Sequence, residues 1–271
     1  EVARHIRGLR PRKAPGSDSL GTPAMRNLPA WVIVVIAAIF NSCLRLSHFP
    51  TTWKKATVIM IPKPGKDPLR PENHRPISLL PVLSKILERI ILRRFPEEFF
   101  TSIRTEQYGF RRGHSTTLQL RRVISNVSGA LERKQHATSV LIDVSKAFDR
   151  VWHEGLLFKL ASSPLPGSLW KLMRSYLQHR TFNIRVDQSS STLRQISSGV
   201  PQGSVLGPIL YLWYTNDMPV SPRVQLSLYA DDALFTATSA NLRMSRVYLQ
   251  RQLDLLHPWL TKWRIKVNAD K

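Results

Sequence analysis

The sequence is poor in several things. It has one cysteine, Cys43, among 271 residues, which excludes an internal disulfide framework and any cysteine-rich zinc site. Its eight histidines show no close pairing at metal-ligand spacing and read as ordinary surface or core residues. Long apolar runs are missing: the longest, Ala30 to Phe40, is too short to span a bilayer. The chain opens on charged residues rather than a short basic start and an apolar stretch, so no signal peptide is expected. A reducing, intracellular setting is the expectation. Acid is scarce as well. Asp and Glu total 18 against 40 Lys and Arg, giving a net charge of +22 and a pI near 11.0. Such an excess opposes compaction of the free chain and favours a polyanionic partner. The cations are spread along the whole sequence, and no basic helix with a clean apolar face dominates it. Nucleic acid is therefore expected over a membrane surface. Tandem repeats and low-complexity linkers are absent.

What is present is a mixture of amphipathic helices and short strands, which argues an α+β fold. A basic loop, Arg10 to Asp18, precedes an apolar stretch from Leu28 to Leu46 that reads as a mostly buried helix. Ala56 to Ile61 suits a strand, Pro62-Lys63-Pro64-Gly65 a tight turn, and Asn73 to Leu80 a returning arm. This β-lobe presents Lys63, Lys66 and Arg75, of which Arg is the side chain best shaped for bidentate phosphate binding. Solvated cations on a hairpin would look the same. Val82, Ile86 and Ile90, with Leu83, Leu87 and Ile91, mark a helix ending before Pro96. The loop from Gln107 to Thr116 interleaves Tyr108 and Phe110 with Arg111 and Arg112, a mixture suited to base stacking and backbone attraction. Leu120, Ile124, Val127 and Leu131 continue as a helix.

Three features carry chemistry. Asp143 breaks the apolar run Thr138 to Val144; a carboxylate in a buried strand must be paired, neutralised or bound to metal, unless it merely ends the strand. Ser198 to Pro208 holds three glycines that allow close backbone approach to a ligand, yet lacks the Gly-Lys-Ser/Thr of a phosphate loop. Leu226 to Phe235 reads as a hairpin with Asp231 and Asp232 at its tip. Asp-Asp is a poor two-residue turn, and two such charges about 4 Å apart repel by roughly 4 kcal/mol at an effective dielectric of about 20. A divalent cation would reverse that sign. Around these, helices are expected over Val151 to Leu160 and Leu169 to Gln178, and strands over Phe182 to Val186 and Leu193 to Ile196. Further on, a helix follows Leu249, Leu253, Leu256 and Leu260, with a kink or break at Pro258. A short strand, Ile265 to Val267, and a turn, Asn268 to Lys271, complete the reading.

In order, the chain carries Lys13-Ala14-Pro15-Gly16, Arg75-Pro76-Ile77-Ser78-Leu79, Gln107-Tyr108-Gly109-Phe110-Arg111, Asp143 with Ala147-Phe148-Asp149, Gly199 to Pro208, and Tyr229-Ala230-Asp231-Asp232. In these phrases it resembles the reverse transcriptases of non-LTR (LINE-type) retrotransposons, and among them the jockey-like insect elements. The resemblance implies a right-hand polymerase fold with fingers over residues 1–136 and palm over 137–271. The helical thumb is then expected after Lys271 and an endonuclease before Glu1. It implies an RNA-directed DNA polymerase extending a DNA primer on an RNA template by two-metal nucleotidyl transfer.

Under that resemblance Asp143, Asp231 and Asp232 are the catalytic metal ligands for two magnesium ions, with manganese as a possible substitute. Lys63 (or Lys66) and Arg75 would grip a deoxynucleoside triphosphate. Phe148 would exclude a ribose 2′-hydroxyl, Gln202 would contact the nucleotide, and Lys271 would protonate the leaving pyrophosphate. Lys13, Tyr108, Phe110, Arg111 and Tyr229 would face template and primer. His74 stands where the family usually has tyrosine. The implied partners are RNA template, DNA primer and deoxynucleotides, with no membrane. The implied setting is the cytoplasm as a ribonucleoprotein and the nucleus during integration. A decayed or repurposed nucleic-acid-binding module would share the charge and the fold, as would a splicing maturase; the three intact aspartates and Gln202 favour the polymerase.

Overall fold

The computed structural model describes residues 1–268. In chain order its helices and strands are α1 (Val2–Arg7), α2 (Thr22–Arg26), α3 (Ala30–Arg45), β1 (Lys55–Pro62), β2 (His74–Leu79), α4 (Val82–Leu92), α5 (Glu97–Thr101), α6 (Thr116–Glu132), β3 (His136–Ile142), α7 (His153–Ala161), α8 (Gly167–Leu177), β4 (Arg180–Val186), β5 (Ser189–Ser190), β6 (Arg194–Ile196), α9 (Leu206–Tyr214), β7 (Val224–Tyr229), β8 (Asp232–Ser239) and α10 (Leu242–Lys262). The chain forms two compact units. The first joins residues 1–99 to 157–207, and the second joins 100–156 to 208–271. Each unit is discontinuous, and position 136/137, where the sequence suggests a division, falls inside the second.

The first unit is built on a mixed sheet, ordered β2-β1-β4-β5 with β6 also on β4. β1 and β2 pair antiparallel, Thr57 opposite Leu79 and Pro62 opposite His74, whereas β4 joins β1 in parallel. The core runs through a ladder of edge-to-face rings, Phe40 on Trp53, Trp53 on Phe49 and Phe49 on Tyr176. Edge-to-face packing of this kind adds about 0.5–1.5 kcal/mol per pair to the burial itself. α4 buries Val82, Ile86, Leu87, Ile90 and Ile91, as its apolar stripe requires.

The expectation of a mostly buried helix over 28–46 is corrected. α3 buries only Ile36, Phe40 and Cys43, while Trp31 (69% exposed), Val34 and Leu46 face outward. An apolar groove of about 410 Å³ runs along Val35, Ile39, Cys43 and Leu46. A helix apolar all round can bury only the stripe that meets a neighbour, so composition overstates its burial.

The second unit has a three-stranded antiparallel sheet, ordered β3-β8-β7. Alternation buries Ala233, Phe235 and Ala237 of β8 together with Leu226 and Leu228 of β7. Thr138 on that face of β3 shares a 2.7 Å hydrogen bond with Ser245 of α10, which packs across β3 and β8. The opposite face carries Ser139, hydrogen-bonded to Thr236 at 2.8 Å, and exposed Leu141. Two side-chain caps start the long helices: the Ser115 hydroxyl accepts from the Leu118 N–H of α6, and the Asn241 side chain from the Arg243 N–H of α10.

Two further expectations are corrected here. Of the kink or break expected at Pro258, the break does not occur: α10 runs through that residue, because packing of Leu249, Leu256 and Trp259 on either side outweighs the one backbone bond the ring removes. The strand over 265–267 reduces to a single bridge, Val267 to Val144. It has one partner and no room for a ladder.

Candidate active site at the β3–β8 end

The hairpin of β7 and β8 turns through Ala230 and Asp231, so Asp231 lies in the turn and Asp232 opens β8 opposite Tyr229. Ala230 takes a left-handed φ of 58°, uncommon for a side chain larger than hydrogen. On the other side of β8, β3 pairs Ile142 with Ala233. Continuing that register sets Asp143, one residue past the ladder, alongside Asp232. Strand alternation then puts both on the face of Leu141 and Leu234, away from α10. The three aspartates, far apart in sequence, thus share one end of one sheet.

Tyr211 of α9 reports the same convergence. Burial raises its phenol far above the usual range, and the charges of Asp231, Asp232 and Asp143 push it further. It stays a neutral phenol. Its ring stacks on Phe148 at 4.8 Å and 23°, and Phe110 meets Phe148 edge-on at 5.9 Å. Asp143 is oriented by Asn268, whose backbone N–H donates to the Asp143 carbonyl (2.9 Å) and whose side-chain N–H donates to Oδ2 (3.0 Å). Ser145 accepts no freedom here either, since its N–H donates to the Lys266 carbonyl. The chain's last described stretch therefore braces the first aspartate.

Among the described residues, Asp143, Asp231 and Asp232 included, no three His, Cys, Asp or Glu side chains come close enough to form a cage that holds a metal ion. Such a cage is what zinc or calcium would ask for; magnesium takes one or two carboxylates and keeps water and substrate phosphates around it. The donors at this sheet end are hard carboxylate oxygens, and their chemistry fits a magnesium-type ion.

The loop from Gln107 to Arg111 lies against the same hairpin. Tyr108 donates its N–H to the Leu228 carbonyl and Leu228 to the Glu106 carbonyl, both at 3.0 Å. Tyr108 packs edge-on against His114 at 4.6 Å, with the Arg122 guanidinium 5.8 Å from its ring. Phe110 is exposed, whereas the Arg111 guanidinium donates to the carbonyls of Arg104 and Gln107 and so folds the loop. Tyr229 is half-buried at the end of β7.

Lys63, Lys66, Arg75, Gln202 and Lys13 all belong to the first unit. Arg75 is exposed on β2, opposite Ile61. The Lys63 ammonium donates to the Glu72 carbonyl at 2.9 Å, and Lys66 is exposed in the following turn. The Gln202 carbonyl accepts from the Ser78 N–H at 2.8 Å, seating the glycine-rich loop on β2. Gly203, at φ 116°, comes so close that a Cβ would stand 2.7 Å from the Ser78 carbonyl oxygen. Exposed Lys13 precedes Gly16, which packs on the Leu80–Pro81 backbone. His74, in place of tyrosine, shares a 3.1 Å hydrogen bond with the Arg70 carbonyl. Lys271 lies outside the described residues.

Sequence reasoning missed Glu88. Fully buried on α4, its Oε2 accepts from the N–H groups of Val205 (2.7 Å) and Leu206 (3.0 Å), and Oε1 from the Ser84 hydroxyl. Burial raises its carboxyl above the ordinary range despite these donors and nearby Arg180. The available signal was Ser84 and Glu88, four apart, on an otherwise apolar helical stripe. Tyr211 was missed too, because one phenol within the run Leu206 to Tyr214 looks like core.

The fold is that of a right-hand polymerase. It is similar over 88% of this chain, and 54% of the other, to the apo telomerase of Candida tropicalis truncated from its C-terminal domain, with a TM-score of 0.56 at 14% identity. Residues 61–271 match the family model described as reverse transcriptase (RNA-dependent DNA polymerase), and the chain belongs to that family. Over its whole length it is 42% identical to the RNA-directed DNA polymerase from mobile element jockey of Drosophila funebris, and 40% identical to the probable RNA-directed DNA polymerase from transposon BS of Drosophila melanogaster. It spans 31% of the length of each. The family generally uses divalent metal ions.

Proposed function

We propose that this chain carries the polymerase site of a non-LTR retrotransposon and extends a DNA primer on an RNA template with deoxynucleoside triphosphates. The observation that carries the reading is the meeting of Asp143, Asp231 and Asp232 at one sheet end around Tyr211. The names of its relatives, RNA-directed DNA polymerases, support the same reaction.

In this reading Asp143, Asp231 and Asp232 hold two magnesium ions, or manganese in their place. When bound, such ions make a 3′-hydroxyl nucleophilic and neutralise a pyrophosphate leaving group. The chain's own residues do the rest. Asn268 fixes the rotamer of Asp143. Phe148, held flat on Tyr211 and braced by Phe110, is a rigid ring suited to exclude a ribose 2′-hydroxyl. Arg75 offers a planar fork to the triphosphate, with Lys63 or Lys66 as the point charge. Lys63 must first release the Glu72 carbonyl. Gln202 contacts the nucleotide from a loop fixed on β2, and Lys271 supplies a proton to pyrophosphate. Lys13, Tyr108, Phe110 and Tyr229 meet template and primer; Arg111 serves the same surface by shaping its loop.

The reading names residues 1–136 fingers and 137–271 palm. It puts the protein at work inside the cell, in the cytoplasm as a ribonucleoprotein and in the nucleus during integration.

The test is deoxynucleotide incorporation on a primed RNA with magnesium. Asp231→Asn is expected to lower incorporation by at least about 10³-fold, a loss suited to removing charge from a metal ligand, and to leave RNA affinity within about twofold, since phosphate contacts dominate that affinity. Incorporation at the wild-type rate would sink the reading.

A further inference from the structure

The Gln107 side chain is almost entirely buried, at 2% exposure, and every hydrogen bond the structure gives it is spent on the hairpin turn and its own loop. Its Oε1 accepts from two backbone donors, the Gly109 N–H at 2.7 Å and the Ala230 N–H at 3.0 Å. Its Nε2 donates to the Ala230 carbonyl at 3.2 Å. One amide therefore grips both backbone polar groups of Ala230, the residue immediately before Asp231.

That residue is the strained one. A left-handed φ at a non-glycine costs about 1 kcal/mol or more and persists only where its surroundings hold it. The Gln107 amide supplies the hold. The approach is so tight that a Cβ on Gly109 would stand 2.2 Å from the Ala230 nitrogen, so glycine is required for contact at that point.

The clamp is itself anchored. Gln107 forms a parallel bridge to Leu228, and Gln119 of α6 donates to the carbonyls of both Glu106 and Leu228, at 3.1 and 3.0 Å. The Arg104 N–H donates to the Asn216 side chain and its guanidinium to the Met218 carbonyl, both at 2.8 Å. The segment from Arg104 to Gly109 is thus a loop pinned to β7 by a single bridge, and these bonds together hold one side chain still.

We propose that Gln107 is a positioning residue for the polymerase site: its amide locks the Ala230 turn in the conformation that presents Asp231. The assignment rests on the reading of Asp231 as a metal ligand. It moves the functional weight of this loop from base stacking to geometry, with Tyr108 and Phe110 as its outer face.

Two measurements on the full chain test it. In backbone amide exchange, Gln107→Ala is expected to release the Ala230 and Gly109 amides, with protection falling about tenfold or more, while Phe235 and Ala237 in the centre of β8 stay protected. In steady-state primer extension the same variant is expected to lose about 10²-fold in kcat, the scale of a displacement near 1 Å in a catalytic group. KM for deoxynucleotide and affinity for primed RNA should hold within about threefold, which a general loss of fold would not allow. Gln107→Glu keeps an oxygen for both N–H groups but loses the donor to the Ala230 carbonyl and buries an acid, so it is expected to retain part of their protection and to lose less kcat than the alanine variant. It decides the matter if the alanine variant unfolds. Unchanged protection at Ala230, or lost protection with unchanged kcat, overturns the proposal. Asp231→Asn with wild-type incorporation would instead remove the metal-ligand reading, leaving the clamp visible by amide exchange alone.

Discussion

At the residue scale, the chemistry-bearing side chains divide by how much of their role lies in their own identity. Asp143, Asp231 and Asp232 stand out in sequence because a carboxylate among strand formers demands an explanation. Gln107, Glu88 and Tyr211 do not, because a neutral amide, one acid on a helix and one phenol in an apolar run acquire meaning only from what surrounds them. Lys54 is another such residue. It is 2% exposed beside fully buried Arg180, and burial, then the Arg180 charge, lowers its pKa from 10.5 to about 8. Between those values the unfolded chain binds a proton that the folded one does not, so stability should rise with pH across that window. At about 1.4 kcal/mol per unit the gain approaches roughly 3 kcal/mol. Lys54→Met removes the titration. Urea midpoints of the two proteins at pH 8 and pH 10 are expected to show a rise for the wild type that the variant lacks.

At the element scale, periodicity located the strands and helices that frame the site, and the hairpin of β7 and β8 was legible from its flanking apolar runs. The turn lies one residue earlier than the apolar runs suggest, at Ala230 and Asp231. Asp232 opens β8, and the left-handed residue is Ala230, a choice set by the clamp and not by local preference. Burial of α3 was overestimated for a related reason: a run of apolar residues does not say which stripe meets a neighbour. Pro258 gives the reverse lesson, since tertiary packing carried the helix past a residue that disfavours it. The ring is exposed, so Pro258→Ala loses little packing and restores the missing donor. The substitution is expected to stabilise the chain by about 1–3 kcal/mol, read as a raised urea midpoint with an unchanged slope.

At the scale of the whole molecule, the excess of 40 cations over 18 acids sets a strong salt dependence for RNA binding. If about six phosphates are neutralised, raising salt from about 50 to 200 mM should weaken binding by roughly 10³-fold. A filter-binding titration with KCl would show the slope, and Asp231→Asn should leave it unaltered. Composition alone points to a polyanionic partner; the division into two discontinuous units is not legible there, because no linker marks it and the crossings fall within helices.

Those crossings bear on how the protein is made. β1 finds its parallel neighbour β4 only after more than a hundred further residues have been synthesised, Thr57 meeting Asn183 at a separation of 126. Nascent chains halted before that point carry one bare strand edge and an unfinished core, a state prone to stick to its like. Cutting the gene between residues 99 and 157 should therefore yield insoluble halves where the intact reading frame yields a folded product.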